Sequence, residues 1–183
     1  KGLDVLELLS GSPAPRSLKE VATQLGRTSQ ELFRVVNSLV ARGYLIRDAA
    51  GRYRISTRLF ELGNSHAATQ ALVARAMPHM ERLAAQIGES CHLSVQSLDR
   101  MLIVSRAECA ADVRISVRVG CSFELHRRVS GLVALAQLPD DWREGYWSRS
   151  GEPAKIVQQH ETQLAGIRKE GCLVAPSPII VGG

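Results

Sequence analysis

The stretch Gly26–Leu45, GRTSQELFRVVNSLVARGYL, decides how the first third of this chain is read. Leu32, Val35, Val36, Leu39 and Val40 recur at the three- and four-residue spacing of one helix face. Thr28 and Glu31 stand three apart, the spacing of a capping box, so a helix is expected to start just after Thr28. Gln30, Arg34, Asn37 and Ser38 fall on the opposite face, and all of them can hydrogen-bond to base edges or phosphates. One face is suited to a core. The other is free to read something.

The preceding residues repeat the scheme. GLDVLELLS (2–10) is a short apolar helix, stopped by Gly11, Pro13 and Pro15. Ser17 and Glu20 form a second capping-box pair, and Leu18, Val21, Ala22 and Leu25 give a buried stripe that Gly26 ends. Two such helices joined by a tight turn make a helix-turn-helix. YLIRDAAGRYRIS (44–56) then reads as a hairpin around Ala49-Ala50-Gly51, carrying Arg47, Arg52 and Arg54. A helix-turn-helix followed at once by a basic hairpin is a winged helix, and the hairpin separates this reading from a purely structural helical bundle. Glu31 would be repelled by phosphates, so its expected task is to cap its own helix.

Charge agrees with that placement. Residues 1–66 carry ten Lys/Arg against six Asp/Glu, whereas residues 67–183 carry thirteen against twelve. A polyanion would therefore meet the N-terminal part. No run approaches the roughly 18 apolar residues of a membrane span, and no signal peptide is evident. The four cysteines include no C-x-x-C pair. Neither a disulfide framework nor a zinc site is expected, and a reducing cytoplasm is the expected location. The chain starts at Lys1 and ends on SPIIVGG (177–183), so a fragment clipped at both ends is expected.

Further on, RLFELGNSHAATQALVARAMPHMERLAAQIG (58–88) reads as helical, broken at Gly63 and kinked near Pro78, with Met80, Leu83, Ala84 and Ile87 as its buried face. SCHLSVQS (90–97), MLIVSRAE (101–108) and VRISVRVG (113–120) alternate as strands should, the last most cleanly. Residues 126–138 and about 155–170 read as helices. The mixture predicts an α/β sensor domain with an antiparallel sheet. Catalytic motifs are missing: there is no G-x-S-x-G, no phosphate-binding G-x-x-x-x-G-K-[ST] and no H-E-x-x-H. Cys91 and His92 are neighbours on a strand and point to opposite faces, and Cys121 suits a small apolar filler. An enzyme is not expected.

The run SLKEVATQLGRTSQELFRVVNSLVARGYLIRDAAGRYRISTRLFELG resembles the DNA-binding domain of the IclR family of bacterial transcription regulators, in the pattern, order and spacing of its motifs. MPHMERLAAQIGESCHLSV and VRISVRVGCSFELH are similar to segments of the family's effector domain. The chain departs from the family in two places. Gln30-Glu31 stands where a small polar pair is common, and His126-Arg-Arg-Val-Ser-Gly131 replaces most of the family's H-A-T-A-x-G-K-A.

The resemblance implies an α+β chain. A winged helix-turn-helix domain would occupy 1–58 and a linker helix 59–76. A C-terminal α/β, GAF-like effector-binding domain with an antiparallel sheet would occupy 77–183, with the family's last strands expected after Gly183. The implied DNA-binding residues are Ser17, Thr28, Ser29, Gln30, Phe33, Arg34, Asn37, Arg47, Arg52 and Arg54. On the effector side, Ile115 would form an apolar wall, Val129 and Ser130 would present backbone, and Gly131 would permit a close approach. Gly131 equally suits plain helix packing. The implied protein is a cytoplasmic regulator that binds a double-stranded operator as a homodimer or homotetramer, controlled by a small organic or aromatic acid. It would need no cofactor, metal or membrane. The alternative is a DNA-binding regulator whose C-terminal domain only oligomerises and binds no ligand.

Overall fold

Two capping boxes set the register of the N-terminal helices. In the computed structural model, which describes residues 1–176, Ser17 accepts a hydrogen bond from the Glu20 backbone N–H at 3.3 Å, and the Glu20 carboxylate accepts from the Ser17 N–H at 2.7 Å. Thr28 and Glu31 repeat the exchange at 3.2 and 2.8 Å. SPIIVGG (177–183), and the strands expected after Gly183, lie outside the described residues.

The chain divides into two units, Lys1–Gln70 and a second starting at Ala71. The first contains α1 (Gly2–Ser10), α2 (Leu18–Gln24), α3 (Ser29–Ala41), the antiparallel strands β1 (Leu45–Arg47) and β2 (Tyr53–Ile55), and α4 (Arg58–Asn64). Its core gathers the expected stripes: Val5 and Leu9 from α1, Val21 and Ala22 from α2, Leu32 and Val36 from α3, with Leu45 and Tyr53 from the hairpin. Arg16 adds a contact that its sequence does not announce. Its backbone donates to Tyr53 O at 2.9 Å and accepts from Tyr53 N at 2.7 Å, so the loop before α2 pairs with the outer edge of the hairpin.

α5 (Ala67–Ile87) follows α4, and the break falls at Ser65–His66, with Gly63 inside α4. The cause is local: the His66 ring nitrogen Nδ1 accepts from the Thr69 backbone N–H at 3.3 Å and so caps α5. Pro78 sits within α5. The expected buried face of this helix is mostly open. Ala84 is buried and Met80 half-buried, but Leu83 and Ile87 are exposed.

In the second unit β3 (Cys91–Ser97), β4 (Arg100–Ala107) and β5 (Ser122–Glu124) form an antiparallel sheet in that order. A 3-10 turn, Leu125–Arg127, leads into α6 (Val129–Gln137), followed by α7 (Asp140–Ser150) and α8 (Ala154–Glu170). Met101, Leu125, Leu132, Leu135, Tyr146, Trp147, Leu164 and Ile167 make the core. VRISVRVG (113–120) corrects the sequence reading, because it forms no strand. The chain pairs with β4 as far as Gly120: the Cys121 carbonyl accepts from the Ile103 N–H at 3.0 Å and the Gly120 N–H donates to the Ile103 carbonyl at 2.8 Å. A tight turn at Gly120, with φ of +86°, then leads it off the edge. Beyond that turn Arg106 reaches Val117 O with its side chain at 3.1 Å, and the backbone ladder is not continued.

Candidate nucleic-acid interface

α3 is built so that its outer face stays open. Leu32 and Val36 anchor it, and Gln30, Phe33, Arg34 and Asn37 are exposed on the other side. Ser38 donates its hydroxyl back to the Arg34 carbonyl at 2.9 Å, so that donor is already used. The Glu31 carboxylate is engaged by the Thr28 N–H and hydroxyl, and Lys1 Nζ lies 3.9 Å away. The Thr28 backbone N–H, its hydroxyl and the nearby cations hold the Glu31 carboxyl below its usual range. Its charge therefore faces its own helix end rather than a ligand.

This yields a titration with a definite sign. The folded pKa is depressed, so the cap is intact above the ordinary glutamate value of 4.5 and is lost as pH falls through the lowered one. An NMR titration of the Thr28 amide is expected to show a midpoint below 4.5. A midpoint at or above that value would mean that the box is not formed in solution.

Ser17 and Thr28 sit at the N-caps of α2 and α3, and Ser29 is the first residue of α3. None of the described hydrogen bonds or ion pairs uses the side chain of Lys19, Arg34, Arg42 or Arg54. Lys19 is exposed in the first turn of α2, two residues after the capping Ser17.

The hairpin differentiates its three arginines. Asp48 accepts from the Arg52 N–H at 2.8 Å and Arg52 Nε lies 3.4 Å from its carboxylate, so Arg52 is partly neutralised. Arg47 lies over the Tyr53 ring, 5.8 Å from its centroid. Arg54, opposite Ile46 in the ladder, is exposed and has no partner among the described residues. The hairpin thus offers one unencumbered cation and two shared ones.

The residues expected for an effector are placed less uniformly. Val129 and Ser130 are half-buried at the start of α6. Gly131 is buried, and a Cβ built there would lie 2.0 Å from the Leu125 carbonyl oxygen. The space beside Gly131 is therefore filled by the chain's own backbone, and close helix packing accounts for the glycine. Ile115 is 55% exposed on the irregular 113–120 segment and forms no wall among the described residues. A cleft of about 430 Å³ lies elsewhere, between α7 and α8. It is lined by Asp140, Arg143, Glu144, Trp147, Val157 and Glu161, and contains none of the four expected residues. Arg143 in that cleft is already engaged: it is bidentate to Glu161 at 3.1 Å and donates to Leu138 O at 2.8 Å.

Comparison with known proteins bears on both units. Residues 1–49 match the model of the IclR helix-turn-helix domain, and residues 65–173 that of the bacterial transcriptional regulator IclR C-terminal domain. The glycerol operon regulatory protein of Streptomyces griseus is 32% identical over 133 residues, covering 72% of this chain and 52% of the relative. The DNA-binding transcriptional repressor YiaJ of Escherichia coli is 25% identical over 173 residues, covering 93% of this chain and 61% of that protein. Among solved structures, an IclR homolog complexed with 4-hydroxybenzoate, from Microbacterium hydrocarbonoxydans, superposes with a TM-score of 0.78 at 26% identity. That match covers 96% of this chain and 75% of the other. The chain spans about half the length of the glycerol operon regulators it matches. With both domain models matched in order along one chain, the protein belongs to the IclR family of bacterial transcriptional regulators, a family of regulators rather than of enzymes.

Proposed function

We propose that the chain binds a double-stranded operator sequence-selectively through the outer face of α3, with the hairpin on the flanking backbone. The observation that carries this is the open polar face of α3, where Gln30, Arg34 and Asn37 stand exposed while Glu31 is held by its own helix cap. Arg34 with Gln30 and Asn37 enters the major groove. Ser17, Thr28, Ser29 and Lys19 meet phosphates at the two helix N-termini, and Arg47, Arg52 and Arg54 hold the neighbouring strand.

Binding measured at fixed salt tests the division of labour. Arg34→Ala is expected to weaken operator binding by about 1–3 kcal/mol and to relax selectivity at one position. Arg54→Ala should weaken operator and random duplexes alike and flatten the salt dependence. It should do so more than Arg52→Ala, since Asp48 already shares the Arg52 charge. An Arg34→Ala protein with unchanged affinity and selectivity would remove that residue from the reading set.

One recognition helix contacts too few bases for selectivity in a genome, so the active form is a homodimer or homotetramer. Exposed apolar side chains support self-association: Phe60 is 75% exposed on α4, and Leu72, Leu83 and Ile87 are open along α5. Acting on DNA places the protein in the cytoplasm, and among the described residues no helix is long and apolar enough to cross a membrane.

The second unit serves as the sensor. The Microbacterium homolog complexed with 4-hydroxybenzoate supports a small organic or aromatic acid as effector, met by Val129 and Ser130, while Gly131 seats α6. The effector acts by binding two arrangements of the protein unequally. A second reading, that this unit only oligomerises, is favoured by the exposure of Ile115 and the filled space beside Gly131. A thermal-shift series with 4-hydroxybenzoate and related acids on the full-length protein separates them. Stabilisation by one acid supports the sensor. Stabilisation by none favours the oligomerising unit.

A further inference from the structure

Phe33 is the anomaly on the outer face of α3. It is 54% exposed, although burying a phenylalanine is worth about 1.5–3 kcal/mol and phenylalanine is a poorer helix former than leucine or alanine. Neither the core nor helix formation accounts for it. α1 does not cover it either: Gly2 packs beside Val35, and Lys1 approaches Glu31, both on the flank of α3 opposite Phe33. Its neighbours one turn away, at i−3 and i+4, are Gln30 and Asn37, both exposed amides.

We propose that Phe33 reads the C5-methyl group of a thymine in the major groove, next to an adenine bonded by Gln30 or Asn37. This rests on the reading of α3 as the recognition helix. The chemistry of the three side chains converges on A·T pairs. A carboxamide bonds bidentately to adenine N6 and N7, and the thymine methyl is the apolar feature of the major-groove edge. An aromatic ring set a turn from an amide can cover that methyl while the amide takes a purine edge. Each operator half-site therefore contains a thymine whose methyl group contributes to binding.

The test uses the full-length protein and an operator recovered by selection from random duplexes. Each thymine of the half-site is replaced in turn by deoxyuridine, which removes only the methyl group. At one thymine per half-site, affinity is expected to fall about fourfold, the worth of one buried methyl-sized group. The Phe33→Ala protein should bind the thymine and uracil duplexes equally; since the ring is exposed, its removal leaves the fold intact, which circular dichroism checks. Selective binding with no thymine–uracil difference at any position would overturn the methyl contact and leave DNA recognition standing. A difference that persists in Phe33→Ala would overturn the assignment to Phe33. Failure to recover any selected operator would remove the recognition reading itself, and the proposal with it.

Discussion

Gly131→Ala is expected to destabilise the second unit by about 3 kcal/mol, the upper range for inserting a methyl group into a packed interior. The new Cβ would lie 2.0 Å from the Leu125 carbonyl oxygen and 2.7 Å from the Leu125 Cα. Those are backbone atoms, and the Leu125 side chain is fully buried in the core, so nothing flexible can yield. Relief requires the start of α6 to lift from the preceding 3-10 turn, which also displaces Val129 and Ser130. Both tryptophans of the chain, Trp142 and Trp147, belong to this unit. Urea unfolding followed by their fluorescence therefore reports it alone, and a midpoint equal to the parent's would show that the close approach is not as tight as described.

Arg143→Leu is the second large effect, expected to cost about 2–3 kcal/mol. Arg143 joins α7 to α8 through two hydrogen bonds to Glu161 at 3.1 Å, donates to Leu138 O at 2.8 Å and reaches Asp140 at 2.9 Å. Trp147 donates to the same Glu161 at 2.6 Å. Removing the guanidinium leaves the Glu161 carboxylate with one donor, Trp147, and the Leu138 carbonyl with only the Arg168 side chain, at 3.4 Å. The expectation sits at the lower end for a broken buried pair because the Glu161 side chain keeps 34% of its surface in water. Arg143→Leu combined with Glu161→Leu should recover part of the loss, as coupled partners do. Losses that simply add would contradict the coupling.

Burial alone would raise the Glu161 pKa, but the bonds from Arg143 and Trp147 outweigh it and hold the carboxyl below its ordinary value of 4.5. The stability of this link is therefore present above that value and lost as pH falls through the lowered one.

How much of this was legible in the sequence depended on whether the deciding interaction was local. Both capping boxes were readable because each closes within four residues, and the stripes of α2 and α3 carried the first core with them. The alternation of Val113, Ile115, Val117 and Val119 was equally clean, yet a strand needs a partner edge, and Gly120 turns the chain away from it. α7 is not legible in the sequence because one of its buried residues is an arginine, and Arg143 is satisfied largely by Glu161 of α8 and the Leu138 carbonyl after α6, with Asp140 of α7 itself. α5 shows the converse: its apolar period was legible, but Leu83 and Ile87 are exposed, since period alone does not name what covers a face.

For the site, the polar face of α3 could be listed from sequence. That Asp48 shares the charge of Arg52 and leaves Arg54 free could not, because it depends on how the hairpin turn closes. The same holds for Gly131, where two meanings of one glycine were separated only by the position of Leu125.

On the proposed function, a duplex occupies the exposed side of α3. The side-chain amide NMR signals of Gln30 and Asn37, followed as a selected duplex is added to the protein, test it most directly. Both are expected to shift and become protected from solvent exchange, and the Asn37 response is expected to be lost with Arg34→Ala at the same salt. Unmoved amides, with the changes appearing on another face of the first unit, would contradict it.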